Sequence, residues 1–338
     1  MTEVGVRDVA ALARVSTGTV SNVLNWPDRV APATRERVNS AIGQLSFVRN
    51  DAARQLRVGR SRMIGLVVQD IANPFFVDVA RGAEQRAKEF GYAVLLGNSD
   101  FQDDQESTYV ELFSEQRVSG LLLSPLHESL LGLQPVQRQG IPVVLVDRDA
   151  SAQGFRSVSV DDVAGGSLAA EHLINQGRHR LGYAGGNLSI RPIHDRFAGA
   201  RSVVVATAYC SITPFTSKTL TAEDGRVLGG ELGQRVRAGD IDAIIAANDI
   251  VAIGVMQTLL AQGIRVPDDV AIIGYDDIAI ADNVVVPLSS IRQPSAQIGA
   301  AAVDMLLDLT PAMSTIFRPE LTVRKSTAAS GSAHGRRL

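Results

Sequence analysis

The chain has 338 residues, of which 45% are hydrophobic and 20% are charged, and its mean hydropathy is +0.09. This composition is typical of a folded protein of about two or three domains, and not of a disordered or coiled-coil chain. No apolar stretch approaches the roughly 18 residues that a membrane span needs, and no secretory signal is visible, so we expect a cytoplasmic protein without a membrane partner. The one cysteine, Cys210, excludes an intrachain disulfide and a thiolate metal cluster.

Positive charge is concentrated near the N-terminus. Residues 1–62 contain ten Arg, no Lys and five acidic residues, for a net charge of +5, whereas the remainder has a net charge of −8. A small basic head on a larger acidic body is typical of a tethered nucleic-acid-binding module. A basic segment can also be no more than a solvated surface, so charge alone leaves both interpretations open.

Three short helices are predicted within this basic head. Apolar residues recur at helical spacing before a tight turn at Arg14-Val15. Ser16 is a good N-cap for a second helix over Thr17–Leu24, and Pro32 can begin a third helix. The pattern predicts a helix-turn-helix, whose second helix can enter the DNA major groove, although a solvated face on a small bundle is the alternative. The outward residues of that helix are small and polar: Thr17, Gly18, Ser21, Asn22 and Asn25.

The head resembles the N-terminal signature of the LacI (lactose repressor) family of transcription regulators. Three runs carry the resemblance: Val6-Arg7-Asp8-Val9-Ala10, Val15-Ser16-Thr17-Gly18-Thr19-Val20-Ser21-Asn22-Val23-Leu24-Asn25 and Thr34-Arg35-Glu36-Arg37-Val38. The resemblance implies that Thr17, Gly18 and Asn22 read bases. Thr19 and Ser21 then lie among the phosphate-contacting and packing positions. Ser16 and Asn25 complete the expected DNA-binding residues of this head.

The connector after the head, residues 49–62, is too short and has too little apolar surface to form a stable helix alone. In the family that the head resembles, this stretch is a hinge helix, which pairs with its dimer mate in the DNA minor groove. Leu56 matches the leucine that wedges into the central base step, and Ala53 matches the small residue that allows close approach. The alternative is an ordinary basic linker. The other DNA contacts expected here are those of Asn50, Arg54 and Arg57, with Arg49, Arg60 and Arg62 near phosphates.

From Met63 onward, short apolar runs alternate with amphipathic stretches, which predicts parallel sheets with helices on both faces. The predicted strands are Ile64–Val68, Ala93–Leu96, Gly120–Leu123, Val143–Val146, Leu181–Ala184, Ala243–Ala246 and Ala271–Gly274. The amphipathic stretches include Val77–Phe90, Val163–Gln176, Val227–Arg237 and Val251–Gln262. Because ligands of such sheets bind beyond the carboxyl ends of the strands, the polar residues that follow the strands are candidate binding residues. Each of them can instead be a helix cap or a turn, a role that suits Asp249 and Asp277 best.

The body resembles the effector domain of the same family, which is similar to periplasmic sugar-binding proteins. The residues that carry this resemblance are Asn73-Pro74-Phe75-Phe76, Asp147, Arg196 before Phe197-Ala198-Gly199, Ala247-Asn248-Asp249 and Gly274-Tyr275-Asp276-Asp277. The resemblance implies that Arg196, Asn248 and Asp276 hold the hydroxyls or polar ring edges of an effector. It also places Phe75, Phe76 and Asp147 in the cleft. Leu220 stands about where many relatives carry an aromatic residue that stacks on the effector.

The implied fold class is a small all-α helix-turn-helix head joined to an α/β periplasmic-binding-protein-like body of two lobes with parallel sheets. We expect a DNA-binding domain over 1–48, a hinge and linker over 49–62, an effector-binding domain over 63–330 and a disordered tail over 331–338. The first lobe is expected over about 63–160 plus 293–325, and the second over about 161–290. The segment 200–219 is apolar and nearly uncharged where relatives carry a charged amphipathic helix, and the sequence offers no account of it.

The function expected is that of a DNA-binding transcriptional regulator, a repressor that binds a near-palindromic operator as a homodimer and is released by a small polar effector. A sugar or polyol is favoured over a purine, and a corepressor-dependent repressor that senses a purine or nucleoside is the alternative. An enzyme that uses the cleft is a weaker alternative, because adjacent acidic residues such as Asp103-Asp104 point in different directions. The five His show no metal-binding spacing, so we expect no catalytic residue, metal or cofactor.

Overall fold

The computed structural model describes residues 4–47, 61–127 and 129–328. The chain forms two compact units, with the boundary between Ser61 and Arg62. The expected hinge contacts at residues 49–60 and the expected tail at residues 331–338 lie outside the described residues. Within the described ranges, no helix is both long enough and apolar enough to cross a membrane.

The head consists of three helices around a small apolar core. The helices are α1 (Val6–Ala13), α2 (Thr17–Asn25) and α3 (Pro32–Gln44), with a 3-10 turn at Pro27–Arg29. Arg14 ends α1 in the left-handed conformation, with φ 53°, and thereby makes the tight turn that the sequence predicts. Val9, Val20 and Val38 contribute one fully buried side chain from each helix, so the three helices depend on one another for burial.

The first sheet of the body has six parallel strands. They are β1 (Met63–Val68), β2 (Ala93–Asn98), β3 (Gly120–Leu123), β4 (Val143–Val146), β5 (Arg156–Val160) and β11 (Ser314–Phe317). Their order in the sheet is β11-β5-β4-β3-β1-β2. The chain reverses its direction of travel across the sheet at β1, which is the kind of switch point where ligands bind in doubly wound folds.

The second sheet also has six strands, in the order β12-β10-β9-β8-β6-β7. They are β6 (Arg180–Ala184), β7 (Ser211–Phe215), β8 (Ala243–Ala246), β9 (Ala271–Asp276), β10 (Ser289–Arg292) and β12 (Glu320–Thr322). All neighbours are parallel except β10 and β12, which pair antiparallel. All seven strands predicted from the sequence are confirmed to within two residues at each end.

Helices cover both faces of each sheet. In the first lobe they are α4 (Pro74–Glu89), α5 (Asp103–Glu115), α6 (Gln134–Arg138) and α11 (Ser295–Leu306). In the second lobe they are α7 (Asp162–Asn175), α8 (Arg191–Ala206), α9 (Ala222–Arg237) and α10 (Asp249–Ala261), and short 3-10 turns lie at Leu131–Leu133, Ser151–Gln153 and Ala279–Asp282. Helices α4 and α11 pack so closely that a Cβ on Gly82 would lie 2.0 Å from the carbonyl oxygen of Ala296, so this crossing requires glycine.

The chain crosses between the lobes three times. It leaves the first sheet after β5, returns to the first lobe after β10, and crosses again between β11 and β12. The expected limits of the first lobe are wrong at one end, because β12 pairs with β10 of the second sheet and the chain after it continues there. That segment runs beside β9, where the hydroxyl of Ser326 donates to the backbone carbonyl of Ile272 at 2.5 Å.

The atypical segment 200–219 has a structural explanation. Its first part completes α8, and its second part forms β7 at the edge of the second sheet. Pro214 lies in β7, a position that an edge strand tolerates because one side of the strand has no partner strand. The β-branched, nearly uncharged composition of this run therefore reflects the end of a helix followed by an edge strand.

Candidate functional site

The turn before α2 is fixed by a hydroxyl cap. The Oγ atom of Ser16 accepts the backbone N–H of Thr19 at 3.1 Å, as the sequence predicts for an N-cap. The hydroxyl oxygens of Ser16 and Thr19 are 2.9 Å apart. Thr19 is half-buried, so these two residues shape the start of α2 as well as being candidates for phosphate contact.

The outer side of α2 is polar and uncharged. Val20 and Val23 point into the core of the head, and the opposite side of the helix carries short side chains. The Nδ2 atom of Asn25 donates to the backbone carbonyl of Ser21 at 2.8 Å, which holds that amide against the helix. The exposed residues of this side are Thr17, Gly18, Asn22 and Asn25, with Ser21 half-buried. Such a surface can approach base edges closely, because no bulky side chain stands between backbone and groove.

The remaining candidate DNA contacts, at Asn50, Ala53, Arg54, Leu56 and Arg57, lie outside the described residues.

The candidate effector site is a cleft between the two lobes at the carboxyl ends of the strands. All seven predicted effector residues line this one cavity: Phe75, Phe76, Asp147, Arg196, Leu220, Asn248 and Asp276. The space between the lining side chains is about 420 Å³, part of it open to solvent.

Arg196 on α8 is the buried cation of the cleft. Its Nε donates to Oδ1 of Asp162 at 2.7 Å, and its Nη1 donates to the carbonyl of Ala247 at 2.9 Å. Its guanidinium lies over the ring of Tyr275, 3.8 Å from the centroid. Burial disfavours the charge, but the carboxylate of Asp162 raises the pKa of Arg196 well above its ordinary value. The arginine is therefore a charged, rigidly held donor.

Asp147 is a buried carboxyl group with an unused acceptor. It follows β4 in the left-handed conformation, with φ 61°. Its Oδ1 atom has no hydrogen-bond partner among the described residues. Burial raises the pKa of Asp147 well above its ordinary value, Arg196 opposes this shift, and the nearby carboxylates of Asp162 and Asp276 add to it. A ligand hydroxyl is a suitable partner, because leaving a buried acceptor unsatisfied is costly.

Asp276 at the end of β9 joins the two lobes. The Nδ2 atom of Asn73, in the first lobe, donates to its Oδ2 at 3.0 Å, and the Nε2 atom of Gln293 donates to its Oδ1 at 2.7 Å. Burial raises the pKa of Asp276 to about 6, although Arg196 and the two amides oppose this shift. Because both oxygens already accept hydrogen bonds from groups near the first lobe, a ligand of Asp276 also alters the contact between the lobes.

The turn that carries Asp276 is held by its neighbour. Asp276 and Asp277 have φ values of 105° and 57°, a region that favours glycine. Asp277 is clamped by Arg292 at 2.7 Å and by Arg324 at 2.6 Å, and these arginines hold its pKa below the ordinary value. The sequence-based assignment of Asp277 to a turn agrees with these contacts.

Asn248 presents its amide to the cleft while it caps α10. Its Oδ1 accepts the N–H of Val251 at 2.9 Å. Asp249, the next residue, accepts the hydroxyl of Ser290 at 2.6 Å and the N–H of Ile278 at 2.9 Å. Asp249 is therefore structural, as the sequence suggests, and the amide nitrogen of Asn248 remains to bind a ligand.

The walls of the cleft are apolar. Phe75 and Phe76, in the first turn of α4, lie with ring centroids 5.0 Å apart in an edge-to-face arrangement. Leu220 contributes an aliphatic surface from the second lobe. Flat apolar faces beside a few fixed hydrogen-bonding groups suit a sugar ring, which has both kinds of surface.

The sequence-based choice of site residues was incomplete. Gln69, Asp70 and Asn73 line the cleft after β1, and Phe101 lines it after β2. The rule that ligands bind beyond strand ends makes Gln69, Asp70 and Asn73 candidates, because they follow the first predicted strand, although they are not among the seven residues assigned to the effector. Ile190, Pro192 and Ile193 also line the cleft, and their apolar character gave no such signal.

A helix-turn-helix head in one chain with a two-lobed polar cleft defines a ligand-responsive DNA-binding protein. Residues 6–50 match the family "Bacterial regulatory proteins, lacI family", and residues 170–327 match "Periplasmic binding protein-like domain". The ribose operon repressor of Bacillus subtilis (strain 168) is 35% identical over 304 residues, which cover 90% of this chain and 91% of that protein. The chain therefore belongs to the LacI family of DNA-binding transcription regulators.

Solved structures agree with this assignment. The lac repressor dimer bound to operator and the anti-inducer ONPF has a TM-score of 0.82 at 27% identity, and the match covers 97% of this chain and 100% of that chain. A LacI family transcriptional regulator from Enterococcus faecium, with bound ribose, has a TM-score of 0.71 at 25% identity, and the match covers 79% of this chain and 98% of that chain. The head and the two-lobed body predicted from the sequence are thereby confirmed.

Proposed function

We propose that this protein is a cytoplasmic dimeric repressor that binds a near-palindromic operator and is released by a pentose such as ribose. The observation that carries the proposal is the arrangement of Arg196, Asn248, Asp147 and Asp276 around one cleft with phenylalanine walls. These groups offer donors and acceptors to adjacent hydroxyls, as a polyol requires. The ribose operon repressor and the ribose-bound neighbour support a pentose as the effector.

Release follows from the contact between the lobes. Asp276 is bonded to Asn73 across the cleft, and a sugar hydroxyl that binds Asp276 competes with this bond. The effector then favours a different relative orientation of the lobes, provided that its affinity for the two states differs. In the proposed mechanism this change alters the paired hinge segments around Leu56, so that the two heads no longer contact both half-sites.

A thermal-shift screen of the purified full-length protein tests the effector class. At a ligand concentration of about 100 Kd, binding stabilises the native state by about 2.7 kcal/mol, which raises Tm by roughly 5 °C for a domain of this size. We expect this shift with D-ribose and none with adenine or guanine. The variant Asp276→Asn should lose most of the shift, whereas Glu231→Gln, an exposed position on α9, should keep it. A shift with the purines and none with pentoses favours the corepressor alternative.

A further inference from the structure

The cleft holds more acidic than basic side chains. Among the described lining residues, Asp70, Asp147 and Asp276 are acidic, and Arg196 is the one basic residue. The charge of Arg196 is already matched by Asp162, 2.7 Å away. The cleft therefore has an excess of carboxyl groups that no lining cation balances.

Arg148, the residue after Asp147, does not change this balance. Its guanidinium donates to the backbone carbonyl of His127 and to Oε1 of Gln153, the latter at 3.1 Å. It is buried but does not line the cavity. The positive charge of Arg148 is thus directed into the first lobe.

The groups that usually hold a phosphate are partly occupied in this cleft. Two of the five N–H donors of Arg196 already donate, to Asp162 and to Ala247, which leaves fewer of its N–H groups for a phosphate. Two of the helices that begin at the cleft, α4 and α10, are capped by their own side chains, since Asn73 accepts the N–H of Phe75 and Asn248 accepts that of Val251. At each of these two helix starts, one of the backbone N–H groups that commonly bind anions is therefore taken.

The α8 helix also begins at the cleft and has no side-chain cap. Its second residue is Pro192, which has no N–H to donate. Ile190 and Ile193 make this rim of the cavity apolar. Arg191, the first residue of α8, does not line the cavity, and its Nε donates to Oδ2 of Asp195 at 2.6 Å, so it leaves the acidic excess of the lining unchanged.

We infer that the cleft selects an uncharged sugar and rejects the phosphate ester of the same sugar, with Asp70 as a specificity-determining residue. This inference rests on the proposed function, because it names the ligand class of the same site. A phosphate group brings a charge of about −1.5 to −2 at pH 7 next to Asp70 and Asp276. Like charges brought together in a site from which water is excluded strongly disfavour binding.

Asp70 is well placed for this role. It directly follows β1, it is buried, and its Oδ1 accepts the N–H of Ala72 at 2.8 Å. Burial raises the pKa of Asp70, and the nearby carboxylate of Asp100 adds to this shift, so the residue already lies in an acidic environment. Asparagine at this position keeps the acceptor oxygen for Ala72 and removes only the charge.

Calorimetric titration of the full-length protein with D-ribose and with D-ribose 5-phosphate at pH 7.5 tests the inference. We expect the ester to bind at least about 100-fold more weakly. Asp70→Asn should reduce the ratio of the two Kd values about tenfold, and Glu231→Gln, which makes the same change of charge on an exposed face, should leave the ratio unchanged.

The outcomes separate the two claims. Ester binding within threefold of ribose overturns the inference and leaves the proposed pentose effector standing. An unchanged ratio in Asp70→Asn overturns the role assigned to Asp70. If neither compound binds, the ribose-type effector of the proposed function is itself wrong.

Discussion

The buried pair of Arg196 and Asp162 makes the most quantitative prediction. The side chains are 6% and 7% exposed, and their 2.7 Å contact is the main charge compensation for each. Removing one partner of such a pair leaves a buried unpaired charge, which costs about 3–5 kcal/mol. Arg196→Met also removes the guanidinium from the face of Tyr275, an interaction of up to about 2 kcal/mol when buried.

A double-mutant cycle isolates the pair. We expect Arg196→Met and Asp162→Asn each to lower the free energy of unfolding by about 3–5 kcal/mol, a large part of the roughly 5–15 kcal/mol of a typical protein. The double variant should lose at least about 2 kcal/mol less than the sum of the single variants, because it leaves neither charge unpaired.

Urea unfolding followed by circular dichroism measures the three free energies, and ribose titration measures the effector response in parallel. We expect the double variant to regain stability without regaining ribose binding, since the donor to the sugar is gone. If the two single losses simply add, the charges are not coupled and the account of Arg196 is wrong.

Three further changes test other parts of the molecule. Because the pKa of Asp276 is about 6 and its carboxylate accepts sugar hydroxyls, lowering the pH from 7.5 to 5 should weaken ribose binding about tenfold, and Asp276→Asn should remove this pH dependence. Ser16→Ala removes the cap of α2 and should destabilise the head by about 1 kcal/mol, measured by the loss of operator affinity and of helical signal on heating. Leu56→Ala should weaken operator binding more than binding to random DNA in gel-shift titrations, and equal losses would exclude a wedge at this residue.

The pH effect on stability has the opposite sign to its effect on binding. A carboxyl group whose pKa is raised on folding binds more protons in the native state than in the unfolded chain between about pH 4 and 6. Asp276 therefore destabilises the native state progressively as the pH rises from about 4 to about 6. A loss of ribose binding at pH 5 thus cannot arise from unfolding that Asp276 causes.

Much of the fold was predictable because the buried strands are apolar. β4 and β8 are continuous runs of aliphatic residues, and β1, β3 and the first part of β9 are apolar runs interrupted only by glycine. β5 was missed because Arg156–Val160 alternates Val with Ser, and its burial depends on β4 and β11 beside it. β7 was missed because it contains Pro214 and lies at an edge.

The cleft was predictable as a set of positions but not as a network. Family resemblance and the strand-end rule selected seven residues that line one cavity. The hydrogen bond between Asn73 and Asp276 joins residues 203 positions apart, and no local pattern encodes it. The coupling of Arg196 to Asp162 likewise depends on how α7 packs against α8, which only the structure shows.

The central claim is that a pentose in the cleft controls the affinity of the heads for operator DNA. Fluorescence anisotropy of a labelled operator duplex, selected from genomic fragments with the full-length protein, measures this directly. The account predicts that D-ribose raises the apparent Kd for the duplex at least about tenfold, with no effect on the Asp276→Asn variant. An operator affinity that does not change at saturating ribose, or one that rises, contradicts the account.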